Sequence, residues 1–391
     1  ATTAAMLLRH RPETRVRIIE HHAFPRLHVG ETLVAEINLI LDEMGADEAV
    51  SQAGFIRKYG ATFRWGASPE PWHLLFATMD ELRPAEKKVQ TAFTWHVDRA
   101  PYDQILLETA VKAGAEVTHA RVSELVEESG RVVGVRTDQG EFRARFVVDA
   151  TGQAGLAGSA SHRVMDPSLR NIAYWGYYKG FKFEQELNGS WDQSRAFIVA
   201  HPHGWSWYFP IRPDLLSVGV VTRLADSPAG QSRNPEAYFR QAVESCPELA
   251  RLLADATLVP YDESAPLVHV VRDYSYTSRA VVRPGLARVG DAAGFIDPIL
   301  SVGCFLGQSG GRHLAYALRS VLDGTMEESL AIGAYADHVT EILHAFREVT
   351  WFFYRFNERK DAWWAQARRL VADGGFPASA SDRHAFSAFA S

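Results

Sequence analysis

Between residues 171 and 222, apolar and polar positions alternate with a period of two, and many of the apolar ones are aromatic. This pattern predicts four or five antiparallel strands that form a sheet with one aromatic face. Trp205 and Trp207 stand two positions apart in one of these strands, so both side chains project from the same face. A sheet of this kind is a usual place for a substrate pocket.

The N-terminal pattern differs and indicates part of a nucleotide-binding unit. Residues 1–10 predict a helix of small residues that packs closely on a sheet, and residues 16–20 predict a strand that ends in Glu20. In a βαβ nucleotide unit such an acid binds the ribose hydroxyl, and a G-x-G-x-x-G turn precedes the helix. That turn and its strand are absent from the sequence. We expect a truncated chain that holds its nucleotide poorly, the alternative being an unusual chain that never carried the turn.

The strongest chemical signal is a glycine-rich stretch at residues 290–311, whose sequence is G-D-A-A-G-F-I-D-P-I-L-S-V-G-C-F-L-G-Q-S-G-G. It follows a short apolar run and precedes a helical pattern at residues 313–322. A strand end that places backbone amides and the Asp291 carboxylate beside a helix N-terminus suits a pyrophosphate or ribityl chain. Gly290 and Asp291 are therefore candidate nucleotide contacts. The simpler interpretation is a turn that only closes a strand.

Composition narrows the classes of protein. The chain has 391 residues, 47% hydrophobic and 23% charged, with a mean hydropathy of −0.15 and no apolar run near 18 residues, which argues against a membrane span. A formal net charge of −6 without a basic cluster disfavours nucleic acid as a partner. Two cysteines, and 15 histidines without an H-E-x-x-H motif, predict no disulfide framework and no metal site, as in a cytoplasmic enzyme.

One lysine lies in a segment of particular interest. Residues 54–66 predict an extended strand with a bend at Gly60. Arg57 and Lys58 are neighbours in it, so they must point to opposite faces. Most lysines are solvated, and composition alone would make Lys58 no exception.

One motif resembles the second flavin-contacting segment of flavoprotein monooxygenases of the p-hydroxybenzoate hydroxylase fold, and three others resemble the flavin-dependent halogenases of the same fold. In that order, they are G-D-A-A-G-x-x-x-P and F-x-x-P-x-x-S-x-G within residues 290–303, W-x-W-x-x-P at residues 205–210, and F-x-x-K-x-G at residues 55–60. The tryptophan motif departs from the usual W-x-W-x-I-P pattern, because Phe209 stands in place of Ile. The resemblance covers nearly the whole chain.

The resemblance implies the chemistry of the site. Reduced FAD, O2 and chloride or bromide generate hypohalous acid, which Lys58 captures, either by a hydrogen bond from its ammonium or as a haloamine, before it reaches an electron-rich ring. Ser301 would tune this second catalytic position by hydrogen bonding. The resemblance also assigns the substrate tunnel to Trp205, Trp207 and Phe295. It assigns the halide site to the backbone amides near Val302 and Gly303.

The resemblance also assigns flavin contacts. In the family, the F-P-R-x-x-x-G-E-T stretch runs over the flavin, and an R-x-x-Y-D-x-x-L stretch brings its arginine to the flavin phosphates. The first stretch is also compatible with an ordinary capped start of the helix predicted at residues 33–44. The predicted cofactor contacts are Glu20, Arg26, Gly30, Glu31, Arg99, Val122, Gly290, Asp291, Pro298 and Gly303.

The expected fold class is α/β (α+β), a Rossmann-like FAD-binding domain with an inserted antiparallel sheet and a C-terminal helical region. We place the FAD-binding domain at residues 1–165 and 270–325, the substrate-binding sheet at 166–269 and the helical segment at 326–391. The first domain is split because D-A-T-G at residues 149–152 and G-D-A-A-G at residues 290–294 both return to the same sheet.

The expected partners follow from the same comparison. The sequence carries one nucleotide fingerprint and no second G-x-G-x-x-G for a nicotinamide cofactor, so a separate flavin reductase is expected to supply reduced flavin. The expected substrate is a small aromatic compound, phenol or pyrrole in type, free or bound to a carrier protein.

Two other classes of function remain open at this point. An aromatic monooxygenase or a geranylgeranyl reductase-like oxidoreductase of the same fold explains the flavin motifs, but it leaves the W-x-W and F-x-x-K-x-G motifs without a purpose. A catalytically inactive, FAD-poor binding protein explains the absent glycines. Halide-dependent product mass separates the first class from halogenases. A flavin absorbance band in protein expressed from the full-length reading frame tests the second class.

Overall fold

The computed structural model describes residues 1–65, 70–82, 92–156, 163–201, 204–225 and 234–355. Its helices are α1 (Thr2–His10), α2 (Ile37–Met44), α3 (Asp47–Gln52), α4 (Phe76–Leu82), α5 (Arg99–Lys112), α6 (Gln185–Asn188), α7 (Pro235–Ser245), α8 (Pro247–Leu252), α9 (Gly303–Leu322) and α10 (Glu328–Arg355). Its strands are β1 (Arg17–Glu20), β2 (Ile56–Arg64), β3 (Trp72–Leu75), β4 (Thr94–His96), β5 (Glu116–His119), β6 (Val122–Glu128), β7 (Arg131–Thr137), β8 (Gly140–Arg143), β9 (Val147–Asp149), β10 (Arg163–Met165), β11 (Asn171–Lys179), β12 (Gly189–Ser190), β13 (Gln193–His201), β14 (Gly204–Arg212), β15 (Leu215–Arg223), β16 (Thr257–Val259), β17 (His269–Arg272), β18 (Tyr276–Ser278), β19 (Val282–Arg283), β20 (Leu286–Arg288) and β21 (Gly294–Phe295).

The large sheet of the molecule has the strand order β16-β11-β15-β14-β13-β2-β3, with β17 paired to β11 and β4 paired to β2. Strands β11, β15, β14 and β13 pair with one another in antiparallel fashion, as the sequence pattern predicts. The pairing of β2 with β13 is parallel and was not predicted. Because of this pairing, the strand that carries Lys58 belongs to the same sheet as the strand that carries the two tryptophans.

Both faces of the large sheet are buried. One face belongs to an aromatic cluster that includes Phe63, Trp205, Trp207 and Phe353. The opposite face packs against α7 and α8 through a second cluster around Phe239. The predicted alternation with a single aromatic face is therefore wrong in part: apolar residues fill both sets of alternate positions in β14 and β15, because both faces of the sheet are covered, and the opposite face also carries aromatic side chains.

Shorter sheets form the part of the molecule in which the sequence predicts nucleotide binding. Strand β1 pairs in parallel with β5, placing Glu20 opposite His119. Strand β9 pairs in parallel with β20, and the Val289 amide donates to the Asp149 carbonyl at 3.0 Å. The D-A-T-G and G-D-A-A-G segments therefore return to one sheet, which confirms that expectation. Strands β6, β7 and β8 form an antiparallel meander.

Two helix starts were predicted wrongly. Helix α9 begins at Gly303, ten residues before the predicted position, so residues 303–311 at the end of the glycine-rich stretch are helical rather than loop. Its glycines allow close approach, since a Cβ on Gly311 would lie 3.0 Å from Thr3 Oγ1 of α1. Helix α2 begins at Ile37 rather than at residue 33, because residues 31–33 form an extended segment instead.

The C-terminal region is helical as far as it is described. Helix α10 packs along α9 and ends at Arg355. The remainder of the predicted helical segment, residues 356–391, lies outside the described residues. Within the described ranges, no helix combines the length and hydropathy needed to span a membrane.

Candidate active site

The site is built around residues 31–33, which we call the 31–33 segment. It runs antiparallel to β4: the Leu33 amide donates to the Trp95 carbonyl at 3.0 Å, and the Val97 amide donates to the Glu31 carbonyl at 2.7 Å. This two-bond bridge places Thr32 opposite His96. The segment also contacts two other parts of the large sheet, through the Glu31 side chain and the Leu33 carbonyl.

Lys58 is buried on β2, with a relative exposure of 3%. Its Nζ donates to the Leu33 carbonyl oxygen at 2.7 Å and lies 5.4 Å from the centroid of the Phe76 ring. Burial lowers the pKa of Lys58 from 10.5 to about 7, against a smaller opposing effect of Glu36. Arg57 points the other way and is exposed. Near neutral pH, Lys58 therefore exists as both amine and ammonium.

A β-bulge shapes the strand next to Lys58. The pairing of β2 with β13 shifts register between Lys58 and Gly60, which lie opposite Ser194 and Arg195. Gly60 has a φ of +157°, and a Cβ there would lie 2.1 Å from the Leu74 carbonyl oxygen of β3. The glycine of the F-x-x-K-x-G motif thus permits a close approach of two backbones, as the predicted bend requires.

His96 is the neighbour of Lys58 on β4. In the antiparallel pair, Ile56 lies opposite His96 and Lys58 lies opposite Thr94, so Lys58 and His96 are diagonal neighbours on one face. The imidazole is fully buried and stacks on Phe209, with ring centroids 5.3 Å apart and planes inclined by 7°. Burial, and then the charge of Lys58, holds the pKa of His96 well below its usual value. The ring is neutral at pH 7.

The two tryptophans of β14 lie side by side on the aromatic face. Trp205 and Trp207 are both buried, and their ring centroids are 6.0 Å apart. Trp205 Nε1 donates to the Tyr354 hydroxyl of α10 at 2.7 Å. Trp207 lies over Gly219 of β15, where a Cβ would come within 2.1 Å of its Cζ2 atom. A side chain at position 219 would displace the Trp207 ring.

Glu31 joins the 31–33 segment to the aromatic face. Its Oε1 accepts a hydrogen bond from the Tyr177 hydroxyl and its Oε2 accepts one from the Ser217 hydroxyl, both at 2.7 Å. Trp207 Nε1 donates to the same Ser217 oxygen at 3.1 Å. Burial raises the pKa of Glu31 to about 7, although the two hydroxyl donors lower it. Both carboxylate oxygens therefore accept hydrogen bonds from strands of the large sheet.

Asp297 holds the loop before α9. Its Oδ1 accepts from the Ile299 amide at 3.0 Å, while its Oδ2 accepts from Asn171 Nδ2 at 3.2 Å and from the Tyr354 hydroxyl at 3.0 Å. Burial raises the pKa of Asp297 to about 7, despite these three donors. Since Tyr354 also binds Trp205, the loop, helix α10 and the first tryptophan form one hydrogen-bonded unit.

The loop after Asp297 carries the remaining motif residues. Pro298 begins a turn of 3-10 helix that ends at Leu300, and Ser301 follows in the left-handed region with a φ of +59°. Val302 precedes the first residue of α9, Gly303, so their amides lie at a helix N-terminus. A Cβ on Gly303 would lie 3.0 Å from Phe295 Cε2. The structure thus brings Phe295, Ser301 and the helix start together.

Arg99 ties the loop before residue 31 to α5. Its Nη1 donates to the carbonyls of Val29 at 2.8 Å and Gly30 at 3.2 Å, and its Nε and Nη2 donate to the Asp103 carboxylate. Four of its five N–H groups are therefore used among the described residues, which leaves one on Nη2 for a ligand. Gly30 has a φ of +101°, and a Cβ there would lie 2.9 Å from Arg99 Nη1.

Gly290 and Asp291 stand at the carboxyl end of β20, as the motif predicts. Gly290 has a φ of +60°, and a Cβ there would meet the Gly307 Cα at 3.5 Å. Burial raises the pKa of Asp291 to about 6, although Arg99 and Arg163 lower it. Because this turn consists of small residues where it meets the first turns of α9, it leaves room for a phosphate or ribityl chain of a ligand.

Three further predicted cofactor residues lie on or near the shorter sheets. Glu20 ends β1 and accepts a hydrogen bond from the His22 amide at 2.8 Å. Val122 begins β6 and is half-buried. Arg26 lies over the Phe24 ring at 5.1 Å, and its Nε is buried without a hydrogen-bond partner among the described residues. A phosphate or carbonyl oxygen of a bound cofactor would satisfy that donor.

Sequence reasoning missed several residues of the site. His96, Thr32 and Asp297 were not selected, although His96 lies in W-H-V-D-R and Asp297 lies in F-I-D-P. The sequence distinguished each of these residues only as a polar residue within an apolar stretch. Tyr177 and Ser217 gave no signal at all, because a hydroxyl in a strand does not show which carboxylate it will reach.

Comparison with known proteins agrees with these features. A family model described as tryptophan halogenase matches residues 1–85 and 80–375. Tryptophan 2-halogenase of Chondromyces crocatus is 32% identical over 397 residues, which cover 97% of this chain and 71% of that protein. Sulochrin halogenase of Aspergillus terreus is 30% identical over 370 residues, covering 86% of this chain and 64% of that protein. The chain thus spans about two thirds of the length of these curated relatives.

Solved structures give the same result for the fold. The myxobacterial chondrochloren halogenase CndH, described as a new variant of FAD-dependent halogenases, superposes with a TM-score of 0.82 at 26% sequence identity. The superposition covers 100% of this chain and 94% of that one. The predicted fold class is confirmed.

Proposed function

This chain belongs to the tryptophan halogenase family, and from that premise we propose that it halogenates an electron-rich aromatic compound with reduced FAD, O2 and chloride or bromide. The observation that carries the proposal is Lys58. Lys58 is buried and has a pKa of about 7. It lies on the same face of the β2–β4 pair as His96, and His96 stacks on Phe209 of β14, the strand that carries Trp205 and Trp207. A structural lysine gains nothing from such burial, whereas a lysine that captures an oxidant needs it.

Lys58 has two ways to capture hypohalous acid. As an ammonium it donates a hydrogen bond to the oxidant and polarises it. As an amine its nitrogen attacks the halogen, the nitrogen–halogen bond forms as the halogen–oxygen bond breaks, and the nitrogen proton joins the departing hydroxide as water. The aromatic ring then takes the halogen and loses a ring proton, which returns to the nitrogen. A pKa near 7 keeps both forms available at neutral pH.

Bound FAD would supply the two electrons that activate O2 toward the halide. The residues present fit such a cofactor: the unpartnered Arg26 Nε, the remaining N–H of Arg99 and the small-residue turn at Gly290 offer donors and space. Glu20 and Val122 would hold the ribose and adenine, and Asp291 and Pro298 the flavin end. The amides at Val302 and Gly303 would seat the halide at a helix N-terminus.

The aromatic face would form the substrate side of the site. Trp205 and Trp207 are each fixed by a hydrogen bond from the indole nitrogen, so they present rigid walls. With Phe295, they would keep an aromatic substrate on the Lys58 side. Ser301 would contribute a hydroxyl at the loop between them and the halide position.

We further propose the partners and location. A separate flavin reductase supplies reduced flavin, and the substrate is a phenol or pyrrole, free or carrier-bound. One relative is named 1H-pyrrole-2-carbonyl-[peptidyl-carrier protein] brominase, which supports the carrier-bound form. The two cysteines are unpaired, as suits the cytoplasm. The FAD-binding part comprises residues 1–165 and 270–325, the substrate part 166–269 and the helical part 326–391.

Product mass tests the proposal. The protein is incubated with a flavin reductase, NADH, FAD and a panel of phenols and pyrroles, with chloride, bromide or neither. A halogenase gives products whose mass and isotope pattern follow the halide, whereas an aromatic monooxygenase adds oxygen under all three conditions. Full turnover with NADPH and this protein alone would contradict the need for a reductase.

A further inference from the structure

His96 has unused hydrogen-bonding capacity in an unusual place. Neither Nδ1 nor Nε2 has a hydrogen-bond partner among the described residues, although the side chain has a relative exposure of 0%. A buried polar group without a hydrogen-bond partner destabilises the folded state. Such a group in a folded protein indicates that a water or a ligand binds there.

A second unpartnered atom lies opposite. The Thr32 hydroxyl is buried and also has no hydrogen-bond partner within the described part of the chain. Thr32 and His96 are bridged residues of the 31–33 segment and β4. Three polar groups therefore converge, namely the imidazole, the hydroxyl and the Lys58 amino group on the diagonal position. Lys58 has further N–H capacity as well, because the Leu33 carbonyl takes only one of its donors.

The chemistry of the three groups defines what fits between them. A neutral imidazole offers one donor and one acceptor, and a hydroxyl offers a donor and acceptor sites. Of the three groups, only Lys58 carries a charge, so a charged ligand would find no other opposite charge among them. A small molecule with one O–H and an acceptor oxygen matches all of them.

We propose that His96, Thr32 and Lys58 form one binding site for a small uncharged oxygen compound, which is water in the resting enzyme and hypohalous acid during turnover. The assignment of the acid rests on the proposed function. The O–H of the acid donates to the unprotonated nitrogen of His96, and its oxygen accepts from Thr32, which turns the halogen toward Lys58 Nζ. When the amine takes the halogen, the hydroxide that departs collects the amine proton and remains at the site as water.

The role of His96 in this arrangement is positioning. The stack on Phe209 fixes the plane of the ring, so its nitrogens keep one direction. Its proton count does not change during the step. Loss of the nitrogens should therefore leave the oxidant free to escape, without affecting how fast it is made.

The test compares variants that differ in ring nitrogens. His96→Phe keeps an aromatic ring on Phe209 and removes both nitrogens, whereas His96→Asn restores a donor and an acceptor. We expect His96→Phe to lower halogenated product per flavin oxidised by about tenfold, because a misplaced reactant loses its near-attack position. A thioether scavenger in solution should capture the escaped oxidant. Flavin oxidation should continue at the wild-type rate, and His96→Asn should recover part of the product.

His269→Phe is the matched control. His269 also stacks on an aromatic ring, Trp175 at 5.0 Å, and its Nε2 also lacks a partner among the described residues, but it lies on β17, across the sheet from β2. It should keep wild-type coupling. Thr32→Val should repeat the loss in milder form and serves if His96→Phe fails to fold.

A structural measurement completes the test independently of turnover. A crystal structure of the wild-type protein should show a water within hydrogen-bond distance of a His96 nitrogen, and His96→Phe should lack it. If wild type halogenates and both His96→Phe and Thr32→Val keep full coupling, the inference is wrong while the proposed function stands. If wild type forms no halogenated product, the proposed function fails. The presence or absence of the water at His96 in the crystal structure then shows whether the three groups form a site. An empty position at His96 would overturn the site itself.

Discussion

Replacing Lys58 by Met should stabilise the folded protein by an amount that depends on pH. The folded pKa of about 7 lies below the unfolded value of 10.5, so the unfolded chain binds more protons between these two pH values. The stability of wild type therefore rises with pH across this window. With about 1.36 kcal/mol per pKa unit, burial of Lys58 costs about 4 kcal/mol at pH 7 and about 2 kcal/mol at pH 9.

The methionine variant avoids this cost but leaves the Leu33 carbonyl without its donor. That loss is about 1–3 kcal/mol, so the net gain at pH 7 is about 1–3 kcal/mol. The missing hydrogen bond affects both pH values alike. The advantage of Lys58→Met over wild type should therefore shrink by about 2 kcal/mol between pH 7 and pH 9.

Urea-induced unfolding, followed by tryptophan fluorescence at the two pH values, measures this difference. Lys179→Met is the control, because the Lys179 side chain is 54% exposed and pairs with Asp214 at the surface. It should show no comparable change. If the difference between Lys58→Met and wild type is the same at pH 7 and pH 9, Lys58 does not carry a lowered pKa and the argument from burial is refuted.

Substitutions at three further positions test other contacts of the site. Gly219→Ala should cost about 1–3 kcal/mol of unfolding free energy and displace Trp207, seen as an altered tryptophan emission spectrum, and an unchanged spectrum would contradict the packing. Arg26→Ala should weaken FAD binding about tenfold in a fluorescence titration, since a charge-assisted hydrogen bond is lost, while Arg223→Ala on the exposed end of β15 should not. Asp297→Asn should lose about 1–3 kcal/mol at pH 7, because its amide nitrogen cannot accept at one of the two oxygen positions, and Asp297→Ala should lose more, because all three donors lose their acceptor; equal losses would refute this account.

The sheet carrying Trp205 and Trp207 could be predicted because alternation is a local property. The parallel pairing of β2 with β13 could not, since it joins segments more than 130 residues apart through a bulge at Gly60. The start of α9 was misplaced for a different reason. Glycines at positions 303, 307, 310 and 311 oppose a helix by propensity, but their lack of side chains permits contact with α1 and with the Gly290 turn.

The site shows the same limit. Lys58 was found because a motif surrounds it, and its burial then followed from the structure. Glu31 was selected as a flavin contact, but the hydrogen bonds that its two oxygens accept from hydroxyls of β11 and β15 were not predicted. No local pattern predicts these distant donors. His96 was missed because an isolated histidine in a short strand is indistinguishable in sequence from an ordinary core residue.

The most direct test of the central claim is a paired measurement on wild type and Lys58→Ala. Reduced flavin, O2 and halide are supplied, and flavin oxidation is followed by absorbance while halogenated product is quantified by mass spectrometry. Lys58→Ala should oxidise flavin at nearly the wild-type rate and form no halogenated product, and Lys58→Arg should also fail, because a guanidinium does not give up its proton. If Lys58→Ala halogenates at the wild-type rate, Lys58 does not capture the oxidant and the account is contradicted.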